Sequence, residues 1–238
     1  MSAGVVGRTV VVTGANGALG QAVTALLVER GARVAVITRG ETDPALTALD
    51  GVRAYRADLT DDAATAAAGE QIVADNGAVD GLLHLVGGWR GGVPIAESDP
   101  ADWDFLDDGL IRSLHCATRA FYAPLIASSD ARVAIISSTA VAKPTAKNAM
   151  YASAKAASEA WTLALADAFT GTAAAATALR VMALLTPQMR EAAPERSFSR
   201  YTPIDYLAER LVGLWNVPAA ELNGTVHTVI PGEENQTA

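Results

Sequence analysis

Strand-like and helix-like segments alternate along the whole chain, and this alternation limits the possible folds more than any other feature. Seven segments are rich in β-branched and apolar residues, as strands are. These strand candidates are Thr9–Thr13, Arg33–Thr38, Val52–Arg56, 79–86, 131–137, 179–185 and 225–230. Segments of helical pattern separate them, and parallel strands need crossover connections of that length. The pattern predicts an α/β fold with a doubly wound, Rossmann-type parallel sheet of about seven strands and helices on both faces.

We expect a single domain over residues 1–238. A chain of 238 residues lies at the upper end of the range for one domain. Two domains would need a linker, and no composition break, repeat or low-complexity segment divides the sequence. The longest helical patterns cover residues 100–127 and 150–169, and the segment from Asp58 to Thr60 is predicted to cap an alanine-rich helix.

Charge, cysteine and histidine content exclude several classes of protein. The net charge of −8 argues against a nucleic-acid partner, because phosphate backbones attract clustered Lys and Arg. The single cysteine, Cys116, excludes an intramolecular disulfide and a cysteine metal site. His84, His115 and His227 are far apart and are interpreted as core histidines, so we expect no metal site. The sequence shows no signal-peptide pattern and no apolar run long enough to span a bilayer, which predicts a cytoplasmic protein with no membrane partner.

A glycine-rich turn follows the first strand candidate directly and opens the first helix. Gly14 would allow the tight turn, Gly17 a close approach of the backbone to phosphate, and Gly20 close packing of helix on strand. A pyrophosphate would lie at the positive end of this helix. An ordinary glycine-rich turn is the alternative, but the position between strand and helix favours a nucleotide site. The residues expected to bind the dinucleotide here are Gly14, Asn16, Gly17, Ala18, Leu19 and Gly20.

The end of the second strand candidate bears on the choice between NADP(H) and NAD(H). An acidic residue there would accept hydrogen bonds from the adenosine ribose. The chain instead has Thr38 and Arg39, and a guanidinium favours a 2′-phosphate. The nearby Glu41 weakens this argument, and a solvated surface arginine is the alternative for Arg39. We therefore expect NADP(H) to be preferred, with NAD(H) possible, and Asp58 to bond the adenine amine or to act only as a helix cap.

Ser138, Tyr151 and Lys155 form the candidate catalytic set. Tyr151 and Lys155 are one helical turn apart and therefore share a face of the predicted helix. A phenol with a pKa near 10 is a poor acid–base group at neutral pH, and an adjacent ammonium would lower that pKa. Ser138 ends the fifth strand candidate, where it could bond a substrate oxygen and the tyrosine hydroxyl. The chain has only three lysines, so a chance Tyr-x-x-x-Lys spacing is uncommon.

With these motifs in place, the sequence resembles the short-chain dehydrogenase/reductase superfamily over essentially its whole length. The motifs are Thr13-Gly14-x-x-Gly17-x-x-Gly20, Asp58-Leu59, Ser138/Tyr151/Lys155 and the closing Asn223-Gly224…Val229-Ile230-Pro231-Gly232. The resemblance implies hydride transfer at a carbonyl or alcohol, with the tyrosine as general acid and base. It also implies that the lysine binds the nicotinamide ribose, that the serine positions a small-molecule substrate, and that the chain forms a homodimer or homotetramer. The faces of helices 101–127 and 150–169 are then the expected subunit contacts.

The same resemblance assigns further residues to the cofactor and the substrate. Leu59, Val86, Gly87, Gly88 and Thr186 are expected to contact the cofactor. Trp89 and Arg90 on the loop after the fourth strand and Met189 on a later loop are candidates for the substrate pocket, although Trp89 is equally well interpreted as a packing aromatic.

Three departures from the family pattern affect the expected site. Leu110 occupies the place of an asparagine that supports a proton-relay water in the family. The usual Asn-Asn-Ala-Gly after the fourth strand is replaced by His84-Leu85-Val86-Gly87, and the Pro-Gly segment after the sixth strand is shortened at residues 184–189. The first change removes the asparagine that supports the water relay. The shortened segment affects the fit of the nicotinamide carboxamide.

Two segments also resemble quinoid dihydropteridine reductases, a branch that lacks the usual asparagine. They are Val86-Gly87-Gly88-Trp89-Arg90-Gly91-Gly92 and Phe198-Ser199-Arg200-Tyr201-Thr202-Pro203. That branch usually prefers NADH and has an acidic residue where this chain has Thr38. The leading hypothesis is therefore an NADP(H)-dependent carbonyl reductase or alcohol dehydrogenase. The alternatives are pteridine-type reduction and a non-catalytic dinucleotide-binding protein.

Overall fold

The computed structural model describes residues 4–231. Its strands are β1 (Thr9–Thr13), β2 (Arg33–Thr38), β3 (Val52–Arg56), β4 (Gly81–His84), β5 (Arg132–Ser138), β6 (Ala175–Val181), β7 (Leu184–Leu185), β8 (Thr202–Pro203) and β9 (Thr225–Thr228). Seven of them form one parallel sheet in the order β3-β2-β1-β4-β5-β6-β9, and β7 pairs with β8 separately. The order of the strands reverses between β1 and β4, so a crevice opens there at the carboxyl edge of the sheet.

Nine α-helices connect the strands of the described part of the chain. They are α1 (Ala18–Glu29), α2 (Pro44–Thr47), α3 (Asp62–Asn76), α4 (Pro100–Leu106), α5 (Ser113–Ala127), α6 (Ala149–Ala168), α7 (Pro187–Ala192), α8 (Ile204–Val212) and α9 (Ala219–Leu222). A π-helical segment, Asp107–Arg112, joins α4 to α5, so these form one helical stretch with a wider turn in the middle.

The sheet is buried on both faces because its strands alternate between two cores. Val10 and Val12 of β1 pack into one core with residues of α1 and α8. Val11, between them, points to the other face and packs with residues of α3, α5 and α6, such as Phe121 and Ile72. Helices on both faces of a parallel sheet confirm the predicted doubly wound fold.

The predicted sixth strand, residues 179–185, is wrong at both ends. The sheet strand β6 begins at Ala175, and only the short β7 lies beyond it. The alanine-rich sequence here favours a helix by intrinsic propensity, but Ala175, Ala176 and Ala178 are fully buried between β5 and β9. Burial between two parallel strands therefore overrides local preference.

The predicted helix cap at Asp58 is also wrong. The α3 helix begins at Asp62, and the Asp61 carboxylate caps it by accepting a hydrogen bond from the Ala64 amide. Asp58 instead accepts hydrogen bonds from the amide and hydroxyl of Thr60, which closes a turn before the helix.

The closing motif ties the last strand to the sheet. Asn223 donates to the Ala166 carbonyl and accepts from the Ala176 amide, so it joins α6 to β6. Gly224 follows it with φ of 78°, in the left-handed region that favours glycine. Gly232, the last residue of this motif, lies outside the described residues.

Candidate active site

Two glycines, Gly14 and Gly20, shape the turn between β1 and α1. A larger residue at either position would displace the backbone. Gly14 has φ of 72°, and a Cβ there would lie 2.7 Å from the carbonyl carbon of Leu85. A Cβ at Gly20 would collide with the Gly14 carbonyl and the Ala15 backbone. Gly17 is the N-cap of α1, and its amide donates to the Gly14 carbonyl. The first turn of α1 therefore opens directly onto the crevice at the carboxyl edge of the sheet.

Two adjoining cavities follow this edge, one on each side of the glycine turn. The first, about 400 Å³, extends toward the ends of β2 and β3 and contains Asn16, Thr38, Arg39, Asp58 and Leu59 in its wall. The second, about 540 Å³, extends toward β5 and α6. Its lining residues include Ala18, Leu19, Gly20, Gly88, Trp89, Tyr151 and Lys155. The residues that line both cavities are Gly14, Gly17, Val86 and Gly87, so the two form one continuous groove.

This groove fits a dinucleotide. Gly17, whose φ of −73° would suit any residue, presents bare backbone where the two cavities meet, next to the positive end of α1. A pyrophosphate needs such a bare backbone approach at a helix N-terminus, and the two cavities leave room for one nucleoside on each side. The arrangement therefore matches an adenosine half near Arg39 and Asp58 and a nicotinamide half near Tyr151 and Lys155.

The turn after β2 is built by side-chain hydrogen bonds that hold it against the glycine turn. The Thr38 hydroxyl bonds the Gly40 carbonyl and the Thr42 hydroxyl. The Asn16 side chain donates to the Glu41 carbonyl and accepts from the Asp43 amide. Asn16 thus lies in the wall of the first cavity with its amide group occupied by this loop.

Asp58 keeps its charge in the same cavity. Its hydrogen bonds from the Thr60 amide and hydroxyl, together with the nearby Arg39 guanidinium, lower the pKa of its carboxyl group. An ionised carboxylate in this wall can accept hydrogen bonds from an amine, as the sequence predicted for the adenine.

The hydroxyl of Tyr151 lies in a half-buried position beside Ser138. Burial raises the pKa of the Tyr151 phenol, and a hydrogen bond with Ser138 opposes this rise. Ser138 is buried at the end of β5, where its oxygen also accepts a hydrogen bond from the Ala140 amide. The expected lowering of the Tyr151 pKa by Lys155 is not found, because the lysine amine lies 5.8 Å from the centre of the tyrosine ring and points elsewhere.

Lys155 is enclosed and bonded to the backbone of the sheet. Its Nζ donates to the Ile136 carbonyl at 2.6 Å. Burial lowers the pKa of the Lys155 ammonium to about 8, and the Glu159 carboxylate one helical turn away opposes this. Glu159 is itself held by an ion pair with Arg180 at 2.6 Å and by the Ser137 hydroxyl. The ammonium therefore lies in the second cavity above a buried, hydrogen-bonded carboxylate.

His84 joins three elements at the bottom of the groove, and this role could not be seen in the sequence. Its Nδ1 bonds the Thr13 hydroxyl at 2.9 Å and its Nε2 bonds the Ser113 hydroxyl at 3.2 Å. Burial lowers the pKa of the His84 imidazole to about 3, so the ring is neutral at physiological pH. The interpretation as a core histidine agrees with these contacts. A polar residue at the end of β4 was the only signal for them.

The remaining predicted residues lie outside the two cavities. Arg90 stacks on the Phe105 ring at 3.9 Å and pairs with Asp102 at 3.2 Å. Thr186 caps α7 by accepting a hydrogen bond from the Met189 amide, and Met189 itself is exposed. Since Trp89 and Leu184, close by on the same loops, do line the second cavity, the cofactor role of Thr186 and the pocket role of Arg90 and Met189 stay predictions.

Two further observations on the described residues concern metal ligands and membrane spans. No group of three or more His, Cys, Asp or Glu side chains within residues 4–231 is arranged to hold a metal ion. In the same range, every helix is too short or too polar to cross a membrane.

Comparison with a family model decides the relationship of this chain to known proteins. The model for short chain dehydrogenases matches residues 8–197. The chain belongs to the short-chain dehydrogenase family. The family predicted from the sequence motifs is therefore confirmed.

One curated protein of the same description matches part of this chain. A short chain dehydrogenase of Pseudocercospora fijiensis is 31% identical over 160 residues, which cover 63% of this chain and 51% of that protein. This chain thus spans about half the length of that curated relative.

The solved structures are more distant in sequence and show the fold alone. The 3-ketoacyl-(acyl-carrier-protein) reductase of Brucella melitensis, solved with NADH, is 21% identical, with a TM-score of 0.83 over 96% of this chain and 98% of that one. A short chain dehydrogenase of Burkholderia cenocepacia, in complex with NADP, is 22% identical, with a TM-score of 0.80 over 96% and 98%. An NADPH-bound short chain oxidoreductase of Pseudomonas aeruginosa with an atypical catalytic center is 21% identical, with a TM-score of 0.84 over 97% and 98%.

In this short-chain dehydrogenase the place of the family asparagine is apolar. Leu110 is buried in the π-helical segment, and a Cβ at Gly87 would lie 3.0 Å from its side chain. The Leu110 carbonyl accepts a hydrogen bond from the Ser158 hydroxyl at 3.0 Å. A protein hydroxyl from α6 therefore binds the carbonyl of the residue that stands in for the asparagine.

Proposed function

We propose that the chain is an NADP(H)-dependent carbonyl reductase or alcohol dehydrogenase in which Tyr151 is the general acid and base. The observation that carries this is the continuous groove, in which the glycine turn of a dinucleotide site leads directly to Tyr151 and Lys155. Bound in that groove, a nicotinamide would supply the hydride to a carbonyl carbon or take it from an alcohol. The chain's own residues then have to bind the cofactor, orient the substrate and move one proton.

The proton step is assigned to Tyr151. Its raised pKa keeps the phenol protonated at neutral pH, which suits donation to the carbonyl oxygen during reduction. Ser138, already bonded to that phenol, would share the substrate oxygen and fix its position. The Lys155 ammonium would stabilise the phenolate left after donation and bond the nicotinamide ribose, once it turns from the Ile136 carbonyl.

Replacement of the phenol tests this role. Tyr151→Phe is expected to lower kcat about 10²–10⁴-fold, the usual contribution of a positioned acid–base group. The affinity for NADPH, followed by nicotinamide fluorescence, should stay unchanged because only the hydroxyl is removed. Tyr206→Phe on α8, which packs in the other core of the sheet from α6, is the matched control and should retain full turnover. Retained turnover in Tyr151→Phe would show that another group transfers the proton.

We also propose that NADP(H) is preferred over NAD(H). Arg39 lies in the wall of the first cavity, and the residue at the end of β2 is Thr38 and not an acidic residue. A comparison of NADPH and NADH affinities on the purified protein tests it. Tighter binding of NADH would remove the argument from Arg39.

A pteridine-type substrate is the second candidate, and Trp89 favours it. The Trp89 side chain is 57% exposed in the wall of the second cavity, which also contains Tyr151. An indole in that position can stack on a flat conjugated ring. Turnover of a quinonoid dihydropterin beside a panel of ketones separates the two candidates, since an inert pterin with an active ketone excludes the second.

We also propose that the chain forms a homodimer or homotetramer through the outer faces of α5 and α6. A groove of about 430 Å³ lies between these helices, lined by residues such as Tyr122, Trp161 and Leu165. Ile126 on α5 and Leu163 on α6 are further large apolar side chains exposed on the same helices. Two copies related by a twofold axis would cover such a face with itself, which removes apolar area from water on both sides.

A further inference from the structure

One face of α6 is hydrogen-bonded to the end of β5 at three consecutive strand positions. The α6 residues follow one another at four-residue spacing and therefore share that face of the helix. The three pairs are Tyr151 with Ser138, Lys155 with the Ile136 carbonyl, and Glu159 with the Ser137 hydroxyl. The first two pairs hold the residues proposed to move the proton. The third continues the same row one turn further along α6, and the proposed reaction gives it no role.

Glu159 fixes this face of α6 to two neighbouring strands. Its Oε1 accepts hydrogen bonds from the Ser137 hydroxyl of β5 and from the Arg180 Nε of β6, the latter at 2.8 Å. Its Oε2 accepts a bond from the Arg180 Nη2 at 2.6 Å, so the guanidinium binds the carboxylate through two N–H donors. Ser137 and Arg180 are Cα partners in the register of β5 and β6. One buried carboxylate therefore sets the position of α6 along both strands.

The Glu159 carboxylate is also the negative charge that faces the Lys155 ammonium. Burial lowers the pKa of Lys155, and Glu159 opposes this from one helical turn away. Among residues 4–231, the other titratable groups that face this ammonium are Tyr151 on α6 and His84 on β4. Burial raises the pKa of the Tyr151 phenol and lowers that of the His84 imidazole, so both are neutral at physiological pH. The charge of Lys155 therefore depends on Glu159 and on the Arg180 guanidinium that partly neutralises it.

We propose that Glu159 is a positioning residue of the active site, which places Lys155 and Tyr151 against β5 and keeps Lys155 charged. Arg180 limits the second effect, because it neutralises part of the carboxylate charge. The proposal rests on the proposed function, since it concerns the lysine of the same site. It adds two residues that are not among those that line the two cavities.

Removal of each charge should move the titration of Lys155 in opposite directions. Glu159→Gln keeps the shape of the side chain and removes the negative charge, so Lys155 should lose its proton about 1 pH unit lower than in the wild type. Arg180→Gln leaves the carboxylate facing the ammonium without its partner, so Lys155 should lose its proton above about pH 8. A merely structural role predicts otherwise, because a loosened α6 would expose the lysine and raise its pKa toward the ordinary value in both variants.

Competitive labelling measures this titration without catalysis. Acetic anhydride acylates the neutral amine, and the labelled fraction of each lysine peptide at a series of pH values, read by mass spectrometry, gives the pKa of that lysine. The chain has three lysines, so each is assigned from its own peptide. The exposed Lys143 and Lys147 are the internal references and should titrate alike in every variant.

The ion pair between Arg30 and Glu209 supplies the matched controls. It joins α1 to α8 at 2.9 Å through half-exposed side chains. Arg30→Gln and Glu209→Gln should leave the titration of Lys155 unchanged.

A double variant keeps the proposal testable if a single variant folds poorly. Glu159→Gln/Arg180→Gln leaves no unpaired charge in the buried site, and thermal unfolding shows whether the fold is retained. Lys155 should then lose its proton below about pH 8, but at a higher pH than in Glu159→Gln, because the unpaired guanidinium is also gone.

The pH dependence of kcat/KM for ketone reduction, measured on the same variants, separates the inference from the function. Breaks that move as the labelling does support both. If the labelling moves in opposite directions and the breaks do not follow, or no ketone is reduced, the role of Glu159 at Lys155 stands and the proposed role of Lys155 in the reaction is wrong. If the titration of Lys155 in Glu159→Gln is unchanged or moves to higher pH, the inference is wrong at any level of activity.

Discussion

Lys155 shows how the surroundings of one side chain set its chemistry. On the sequence it is a lysine one helical turn from a tyrosine. In the structure it is buried, bonded to the Ile136 carbonyl, and faced by the Glu159 carboxylate on its own helix. His84, on the neighbouring strand, is neutral because of burial and adds no charge. The ammonium is thus less stable than in water, and its charge is lost at a lower pH than usual.

This environment predicts how the proposed reduction depends on pH. Since the pKa of Lys155 is lowered from 10.5 to about 8, the ammonium is present below about pH 8 and the neutral amine above it. The neutral amine does not stabilise a phenolate at Tyr151, so kcat/KM for reduction should fall as the pH rises through about 8. A plot of kcat/KM against pH, which reports the pKa values of groups in the free enzyme, measures this break.

The exposed Lys143 supplies the control for this profile. Lys143→Gln should show the same break near pH 8. A wild-type profile that stays flat until the range of an ordinary phenol, near pH 10, would contradict the assignment to Lys155.

At the scale of elements, the β1–α1 turn separates requirements of folding from requirements of binding. Gly20 packs against the Gly14 carbonyl and Ala15 backbone and leaves no space for a side chain. At Gly17 the nearest atom to an added Cβ is the Gly14 carbonyl oxygen at 3.3 Å, and the backbone is of a kind that any residue adopts. The two glycines therefore have different reasons to be glycine, although both belong to one motif.

Alanine at each position tests this separation. Gly20→Ala is expected to destabilise the fold by about 1–3 kcal/mol, the usual cost of forcing atoms into a packed site. Gly17→Ala should leave the unfolding midpoint nearly unchanged and weaken NADPH binding, because its methyl group reaches into the wall shared by both cavities. Thermal unfolding gives the unfolding midpoint of each variant, and titration with NADPH gives its affinity for the cofactor. Equal loss of stability in both variants would contradict the distinction.

The elements differ in how well the sequence predicts them. The strands β1, β2 and β3 coincide with their predicted bounds because β-branched residues and flanking turns mark them locally. The bounds of β6 differ from the predicted ones. Its alanines have no preference for a strand and are placed there by burial between β5 and β9. The π-helical segment within the predicted helix 100–127 has no sequence signature either.

At the scale of the whole molecule, the groove between α5 and α6 predicts the state of association. Trp161 is 41% exposed there, and its indole nitrogen bonds the Thr118 hydroxyl across the groove. Trp161→Glu would place a charge in the proposed subunit contact, and we expect the oligomer to dissociate into monomers. Light scattering coupled to size-exclusion chromatography measures the molar mass.

Two further variants keep this prediction testable if Trp161→Glu folds poorly. Ile126→Glu, on the exposed face of α5, should also give monomers. Trp103→Glu, on the exposed surface of α4, is the control and should leave the molar mass unchanged. A wild-type chain that is already monomeric, or variants that keep the oligomer, would show that this face has another role.

The sequence by itself determined the layered α/β architecture, the glycine turn and the Tyr151–Lys155 pair. Each of these depends on residues within one or two turns of chain, where periodicity, backbone freedom and helical spacing act directly. Only the tertiary structure decided that the Arg56 side chain donates to the Arg39 carbonyl and that Lys155 donates to a backbone carbonyl of β5. It also decided that His84 joins β1 to α5. These contacts depend on the order of the strands and on the packing of helices on them. Their partners are far apart along the chain or on different elements, so no local pattern records them.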